Sequence, residues 1–431
     1  MMPYSFEPHR DFAVQLDRED DLKGFRSYFH IPENTIYMDG NSLGLVSKRA
    51  EESALRVLKE WKDHAIRGWM SGDKPWFYLP EEIGKKCAAI VGAEKEEVIM
   101  TGSTTVNIHS LVGTFYQPRG SRTRIIADEL NFPSDIYALK GQIQIRGLDP
   151  SKELILIKSR DGRCLDEDAI AAAMTPETAL VFLPSVLFRS GQLLDMAFLT
   201  REAHRKGICI GFDCCHSAGV VPHRFSEWDL DFAVWCSYKY MNGGPGSPAF
   251  LYINKRHFDK TPLLAGWYGC EKNRQFDMRI DFDHSRSAGG WQISTQGMLS
   301  AAPVESALDI ILEAGMDKIR EKSKKITSYL AYLVDAYLSK DPYHFKIGTP
   351  LDPEKRSGHI ALEHETEAVR IGKALLDHHI IPDFRPPNIL RLAPVPLYNT
   401  YLEVFETVQA LKKIMDTKAY ASYSQERGTI S

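Results

Sequence analysis

The sequence predicts an α/β protein: a large domain on a mostly parallel, helix-covered sheet, followed by a smaller α+β domain. Three observations carry that expectation. From about residue 97 to residue 254, short apolar runs alternate with segments of helical periodicity, the pattern of βαβ units. Most of those runs are apolar throughout, as strands covered on both faces are. Beyond residue 254 the rhythm stops, and an irregular stretch leads into a long helical pattern and a short α+β tail.

In chain order, "SKRAEESALRVLKEWKDHAI" (47–66) has the 3.6-residue period of an amphipathic helix and follows a Gly-Leu-Val-Ser turn. The strand-length runs are "EVIMTGS", "RIIAD", "LILIK", "ALVFLPS", "ICIGFD", "FAVWCS" and "AFLYIN". Helical segments such as "TTVNIHSLVGTFY", "DIYALKGQIQIRG", "DEDAIAAAM" and "DMAFLTREAHRKG" separate most of them. Residues 255–300 are rich in Gly, Asp, Arg and Ser. One long helix is expected from about Pro303 to Leu338, and then "GHIALEH", a helix at "EAVRIGKALLDHH", a strand at "PNILRLAP" and a last helix near 400–418. The organisation expected is an N-terminal segment (1–50) packing with the small domain, a large domain (51–300) and a small C-terminal domain (301–431).

The 431 residues are 43% hydrophobic and 26% charged, with a net charge of −4, ordinary values for a globular protein. No long basic block points to nucleic acid or an anionic membrane as partner. Seven cysteines without regular spacing argue against a disulfide framework and against a C-x-x-C zinc site. The charged N-terminus lacks the apolar core of a signal peptide, and no run approaches the roughly 20 apolar residues of a membrane span. A reduced, cytoplasmic protein is expected. G-x-G-x-x-G after the first strand, the P-loop, H-E-x-x-H and G-x-S-x-G are all missing, so neither a nucleotide nor a metal is expected.

The informative stretch is "WCSYKYMNGGPG", where an apolar strand ends at Lys239. Open α/β sheets bind ligands at strand C-terminal ends, and a lysine there can form a Schiff base with pyridoxal phosphate (PLP). PLP also needs an anion beside its pyridine nitrogen, and Asp213 ends the strand of "GICIGFDCCHSAG", with His216 three residues on. Its phosphate needs donors, best at a helix N-terminus, and Thr104 and Thr105 open a helix after "MTGS". Its ring needs a stacking face, and "ELNFPSD" sets Phe132 before Pro133 and Asp135 at another strand-to-helix junction. Each feature alone has a bland reading as cap, turn or core. Together, at successive strand ends, they select the cofactor.

These residues resemble the PLP enzymes of fold type I, and more closely kynureninases. The motifs are "IYMDGNSLGL", "TTVNIHSLVGTFY", "FPSD", "GFDCCHSAG", "DFAVWCSYKY", "LLAGWYG" and "PPNILRLAPVPLYNTY". The resemblance implies that Lys239 carries the cofactor and Asp213 pairs with its pyridinium. It implies that Thr104, Thr105 and Tyr238 hold the phosphate and that Phe132 stacks on the ring. Asp135, Ser190 and His216 would contact the cofactor, and Trp267 and Thr295 would reach it from the neighbouring subunit of a homodimer. Arg391 would clamp the substrate carboxylate, with Ser42 and Trp69 in the substrate pocket and Tyr238 as a general acid-base. The implied reaction is hydrolysis of L-kynurenine or 3-hydroxy-L-kynurenine to an anthranilate and L-alanine, in tryptophan catabolism toward NAD.

One departure stands out: "GWYGC" has Cys270 where these enzymes commonly have histidine, and His284 is a conceivable substitute. This bears on substrate preference more than on reaction type. Rival readings are an aminotransferase, a cysteine desulfurase and a non-catalytic binding protein on this fold. A desulfurase needs a nucleophilic cysteine late in the chain, and the last one here is Cys270.

Overall fold

A computed structural model describes residues 4–427. The chain opens with α1 (Arg10–Glu19) and the two-residue strand β1 (Ile36–Tyr37), then α2 (Lys48–His64) and α3 (Leu79–Val91). Ser47 starts α2 by accepting a hydrogen bond from Ala50 N at 3.0 Å, the usual N-cap arrangement. The alternating region follows as β2 (Val98–Met100), α4 (Thr104–Phe115), β3 (Arg124–Asp128), α5 (Pro133–Ile145), α6 (Pro150–Glu153) and β4 (Leu154–Ile157). It continues with α7 (Glu167–Ala173), β5 (Thr178–Pro184), α8 (Met196–Arg205), β6 (Cys209–Asp213), β7 (Phe232–Trp235) and β8 (Phe250–Ile253). Every apolar run read as a strand is one.

These seven strands form one sheet in the order β2-β8-β7-β6-β5-β3-β4, in which only β8 runs against its neighbours. Side chains alternate between two buried faces. Ile126, Val181, Ile210 and Trp235 enter one core, and Ile125, Leu180, Phe182 and Val234 the other. A sheet covered on both sides needs apolar residues at every position, which is why the runs do not alternate. The parallel strands β3, β5, β6 and β7 all end on the same edge, and the loops leaving that edge build the site.

The second part contains α9 (Met298–Ala314), α10 (Met316–Leu338), β9 (Lys346–Ile347), β10 (Ile360–Glu363), α11 (Ala368–Asp377), β11 (Ile380–Ile381), β12 (Asp383–Arg385), β13 (Ile389–Leu392) and α12 (Tyr401–Asp416). The single helix expected over 303–338 is two helices. Gly315 adopts φ 81° and ends α9 with its N–H on Ile311 O at 2.9 Å; only glycine takes that backbone region without strain. Pro303 lies inside α9 rather than starting it. The small antiparallel sheet has the order β12-β13-β10-β9. Its core gathers Leu330, Val334, Leu362, Leu390, Val404 and Leu411, with Ala13 and Leu16 from α1. A capping box starts α12: Thr400 Oγ1 accepts from Glu403 N and Glu403 Oε2 from Thr400 N, both at 3.0 Å.

The N-terminal segment links the two parts. Strand β1 pairs in parallel with β11, Ile36 opposite Ile380. Eight residues after Ile36, Gly44 N donates to Tyr238 O at 2.7 Å. A Cβ on Gly44 would lie 2.5 Å from Lys239 O, so the two backbones touch only because residue 44 has no side chain.

Candidate active site

A cavity of about 250 Å³ opens between the C-terminal edge of the large sheet and the face of the small one. Of the residues singled out in the sequence, Ser42, Thr104, Thr105, Phe132, Asp135, Asp213, His216, Tyr238, Lys239 and Arg391 line it. Lys239 lies four residues past β7. Adjacent residues of an extended chain point to opposite sides, yet Tyr238 and Lys239 both reach the cavity. The chain turns there, with Gly243 N on Ser237 O at 2.8 Å and Asn242 N on Lys239 O at 2.9 Å.

Lys239 Nζ donates to His216 Nε2 at 3.0 Å. Burial above all, and then the charges of Lys239 and Arg391, push the His216 pKa well down. The ring is therefore neutral, accepts at Nε2 and carries its proton on Nδ1. Asp213 closes β6 and accepts from Cys215 N at 2.6 Å. Beside it, burial and then the Asp213 charge raise the Asp135 carboxyl well above the usual range, so Asp135 keeps its proton. Burial also raises the Tyr238 phenol, helped by the neighbouring thiols Cys236 and Cys215, and it stays protonated.

Helix α4 starts at the cavity. Its N-cap residue Ser103 makes no side-chain cap bond, so the usual side-chain acceptor for the first-turn N–H groups is missing. Thr105 Oγ1 lies 2.7 Å from Ser134 Oγ, which places three hydroxyl-bearing residues (Thr104, Thr105, Ser134) at that end. Phe132 is 45% exposed on the cavity wall, its ring perpendicular to that of Phe188 with centroids 5.4 Å apart. That removes its reading as a core residue.

The opposite wall is the small sheet. Arg391 is not on an edge strand: β13 lies between β12 and β10. Its guanidinium is 1% exposed and bonds Asp383 through Nε and Nη2, Phe188 O through Nη1 at 2.7 Å, and Ser42 Oγ through Nη2 at 3.1 Å. Burial and then Asp383 lift the Asp39 carboxyl nearby to about 7.

Six residues named in the sequence analysis do not line this cavity. Trp69 packs edge-on against Trp76 (5.6 Å, 86°) and shares an apolar depression with Thr295 and Met298. Trp267 and Cys270 border a third hollow. Ser190 is buried beside the site, its Oγ accepting from Gln192 N at 3.3 Å. His284 pairs with Cys270 through backbone only; its ring bonds Phe258 O at 3.1 Å and Arg286 at 3.2 Å and does not reach the cavity. Conversely, Asn41, Asn131, Ser134, Phe188 and Arg385 line the cavity without having been singled out. Asn41 stands inside the quoted "IYMDGNSLGL", and Asn131 and Ser134 inside "ELNFPSD", which was the available signal.

The wall fits a phosphorylated pyridine aldehyde. Asp135 Oδ2 and His216 Nδ1 are buried polar atoms without a hydrogen-bond partner among the described residues. The uncapped helix start, the exposed aromatic face and the lysine complete the set. Fold and site together define a PLP-dependent enzyme of fold type I. Solved structures support the fold: an apo cysteine desulfurase from Thermococcus onnurineus superposes with TM-score 0.78 at 19% identity, covering 92% of this chain and 98% of that one. A C-DES mutant with glycine covalently linked to its PLP cofactor gives 0.76 at 15%, covering 90% and 98%.

The sequence relatives are closer. A kynureninase from Geobacillus thermodenitrificans is 56% identical over 427 residues, 99% of both chains. One from Bacillus cereus is 54% identical over 426 residues, again 99% of both, and one from Shouchella clausii is 51% identical over 422 residues, 98% of both. Residues 319–411 match the kynureninase C-terminal domain model. The chain belongs to the kynureninase family, and its cofactor is PLP.

Proposed function

We propose that this enzyme hydrolyses the Cβ–Cγ bond of L-kynurenine or its 3-hydroxy form, releasing an anthranilate and L-alanine. The observation that supports it most is one cavity holding Lys239, His216 and Asp213 on one wall and the buried Arg391 on the other, in a chain with full-length kynureninase relatives. PLP, when bound, supplies the electron sink, with Asp213 as the anion at its ring nitrogen.

The chain's own residues do the rest. Arg391 takes the α-carboxylate through its planar fork. The Lys239 amine removes the proton from the substrate Cα and returns it during turnover, and neutral His216 orients that amine through Nε2. Protonated Tyr238 is the acid-base group at the γ-carbonyl where water adds. Asp135, uncharged, donates to the cofactor without competing with Asp213 for the ring nitrogen. The same reading divides the chain into the N-terminal segment, a cofactor domain (51–300) and a smaller domain (301–431).

A homodimer belongs to the reading. Trp267 and Thr295 lie away from the cavity of their own subunit, each beside exposed apolar side chains: Trp61, Ile66 and Leu299 near Thr295, and Phe276 and Met278 near Trp267. A second copy covers that surface and brings both residues to its partner's site. No helix among the described residues is long and apolar enough to cross a membrane, and we place the enzyme in the cytoplasm. The deciding experiment mixes purified enzyme and PLP with kynurenine and, separately, with 3-hydroxykynurenine. Anthranilate fluorescence with equimolar alanine is expected, and keto-acid-dependent turnover instead would mark an aminotransferase.

A further inference from the structure

Strands β12 and β13 are antiparallel, with Asp383 opposite Arg391. Residues two apart on a strand share a face, so Arg385 stands beside Asp383 and both face the cavity side with Arg391. The two arginines differ in what they have left to give. Arg391 is buried and bonded at all three nitrogens. Arg385 is a third exposed and lines the cavity. It donates through Nε to Asp383 Oδ2 at 2.9 Å and through Nη2 to Ser42 Oγ at a long 3.4 Å, while its Nη1 makes no bond among the described residues. One carboxylate, Asp383, thus serves two guanidinium groups, and one hydroxyl, Ser42, lies under both. The Asp39 carboxyl, which also acts on both arginines, is raised to about 7 by burial and by Asp383. With two guanidinium groups on one carboxylate and Asp39 protonated below about pH 7, this wall carries surplus positive charge facing the cavity.

We propose that Arg385 is a second contact for the substrate α-carboxylate, which is received between Arg385 and Arg391 over Ser42, with Asp383 as the counter-anion that positions both forks. This rests on the amino-acid-cleaving function proposed above. The geometry assigns the two arginines different work. Arg391, sealed in the sheet, sets where the carboxylate ends up. Arg385, with a free edge at the cavity, supplies the donor that Arg391 cannot without giving up a protein partner.

The test uses the PLP-loaded enzyme and the variants Arg385→Met and Arg385→Lys, with kynurenine as substrate. Losing a charged hydrogen bond made equally to ground and transition states raises KM by about 10- to 100-fold and leaves kcat within about threefold. Arg385→Lys keeps the charge and is expected to recover part of the loss. A second measurement separates contact from scaffolding: binding of L-alanine and of kynuramine, the substrate's carboxylate-free analogue, followed by the bound cofactor's absorbance. Arg385→Met should weaken alanine and spare kynuramine. Equal weakening of both ligands, or a KM within twofold of the parent, overturns the proposal. A parent enzyme that binds alanine but does not cleave kynurenine overturns the proposed reaction instead, and the alanine–kynuramine comparison still decides the role of Arg385.

Discussion

On the large-sheet wall the functional side chains stand at or just beyond strand ends: Asp213 closes β6, Lys239 follows β7, and Thr104 opens α4 after β2. On the small-sheet wall Asp383, Arg385 and Arg391 stand within strands. The difference shows in their partners. In the loops and helix starts past the strand ends, side-chain atoms such as Asp135 Oδ2 and His216 Nδ1 have no partner among the described residues. Inside β13 the neighbouring strand supplies Asp383, and Arg391 is fully paired before any ligand arrives. One wall waits for a ligand to complete it; on the other, Arg391 must exchange a partner and Arg385 alone keeps an edge open.

The comparison can be broken most severely at the lysine. Lys239→Ala removes both the covalent anchor and the proton carrier, and kcat/KM should fall by about 10⁴-fold or more. Dialysis should then strip the cofactor's absorbance from the variant and not from the parent. On the other wall, Arg391→Ala leaves Asp383 buried without its main counter-charge. Such breaks cost about 3–5 kcal/mol, so the melting temperature should drop together with substrate affinity, and Arg391→Ala/Asp383→Asn should regain part of the stability. The two carboxyls of the first wall should separate next. Asp213→Asn is expected to cost about 10²-fold or more in kcat. Asp135→Asn replaces one neutral group by another and should cost less than about tenfold.

A pH scan sharpens the contrast further. The Asp39 carboxyl is raised from 3.8 to about 7 by burial first and by Asp383 second. The folded state therefore holds a proton that the unfolded chain releases between those values. That contribution to stability is full below pH 3.8 and is lost as pH rises through about 7. Melting curves of the parent should fall from pH 5 to pH 8 relative to Asp39→Asn, and the parent's KM should rise over the upper half of that range as an ionised Asp39 competes for the arginines. The smallest effect lies away from both walls: Thr400→Ala removes the α12 cap and should cost about 1 kcal/mol in denaturant unfolding, with kcat unchanged.

How far the sequence discloses this differs between the walls for the same physical reason. Strands buried on both faces are long apolar runs, and a lysine or aspartate ending one is conspicuous, so Lys239 and Asp213 stand out. The small sheet offers no such contrast. Strand β12 is three residues long, and Arg385 in front of two prolines looks like a loop arginine. The break at Gly315 is hidden because glycine inside "LEAGMDK" is compatible with a continuous helix. Trp69, Trp267 and Thr295 were named through family likeness, and a single subunit places none of them at the cavity.

The contact at Gly44 ties the walls together. The stretch from Ile36 to Gly44 is hydrogen-bonded to the small sheet's side at one end, through Ile36 N on His379 O at 2.9 Å, and to Tyr238 O at the other. It works as a short tie-rod. It fixes the backbone that carries Tyr238 and Lys239 against the small-sheet side, while Asp213 is fixed separately, by its pairing with β5 and β7. A side chain at residue 44 would push this stretch off the backbone of Lys239 and Asn242, and with it the register between the two walls of the cavity.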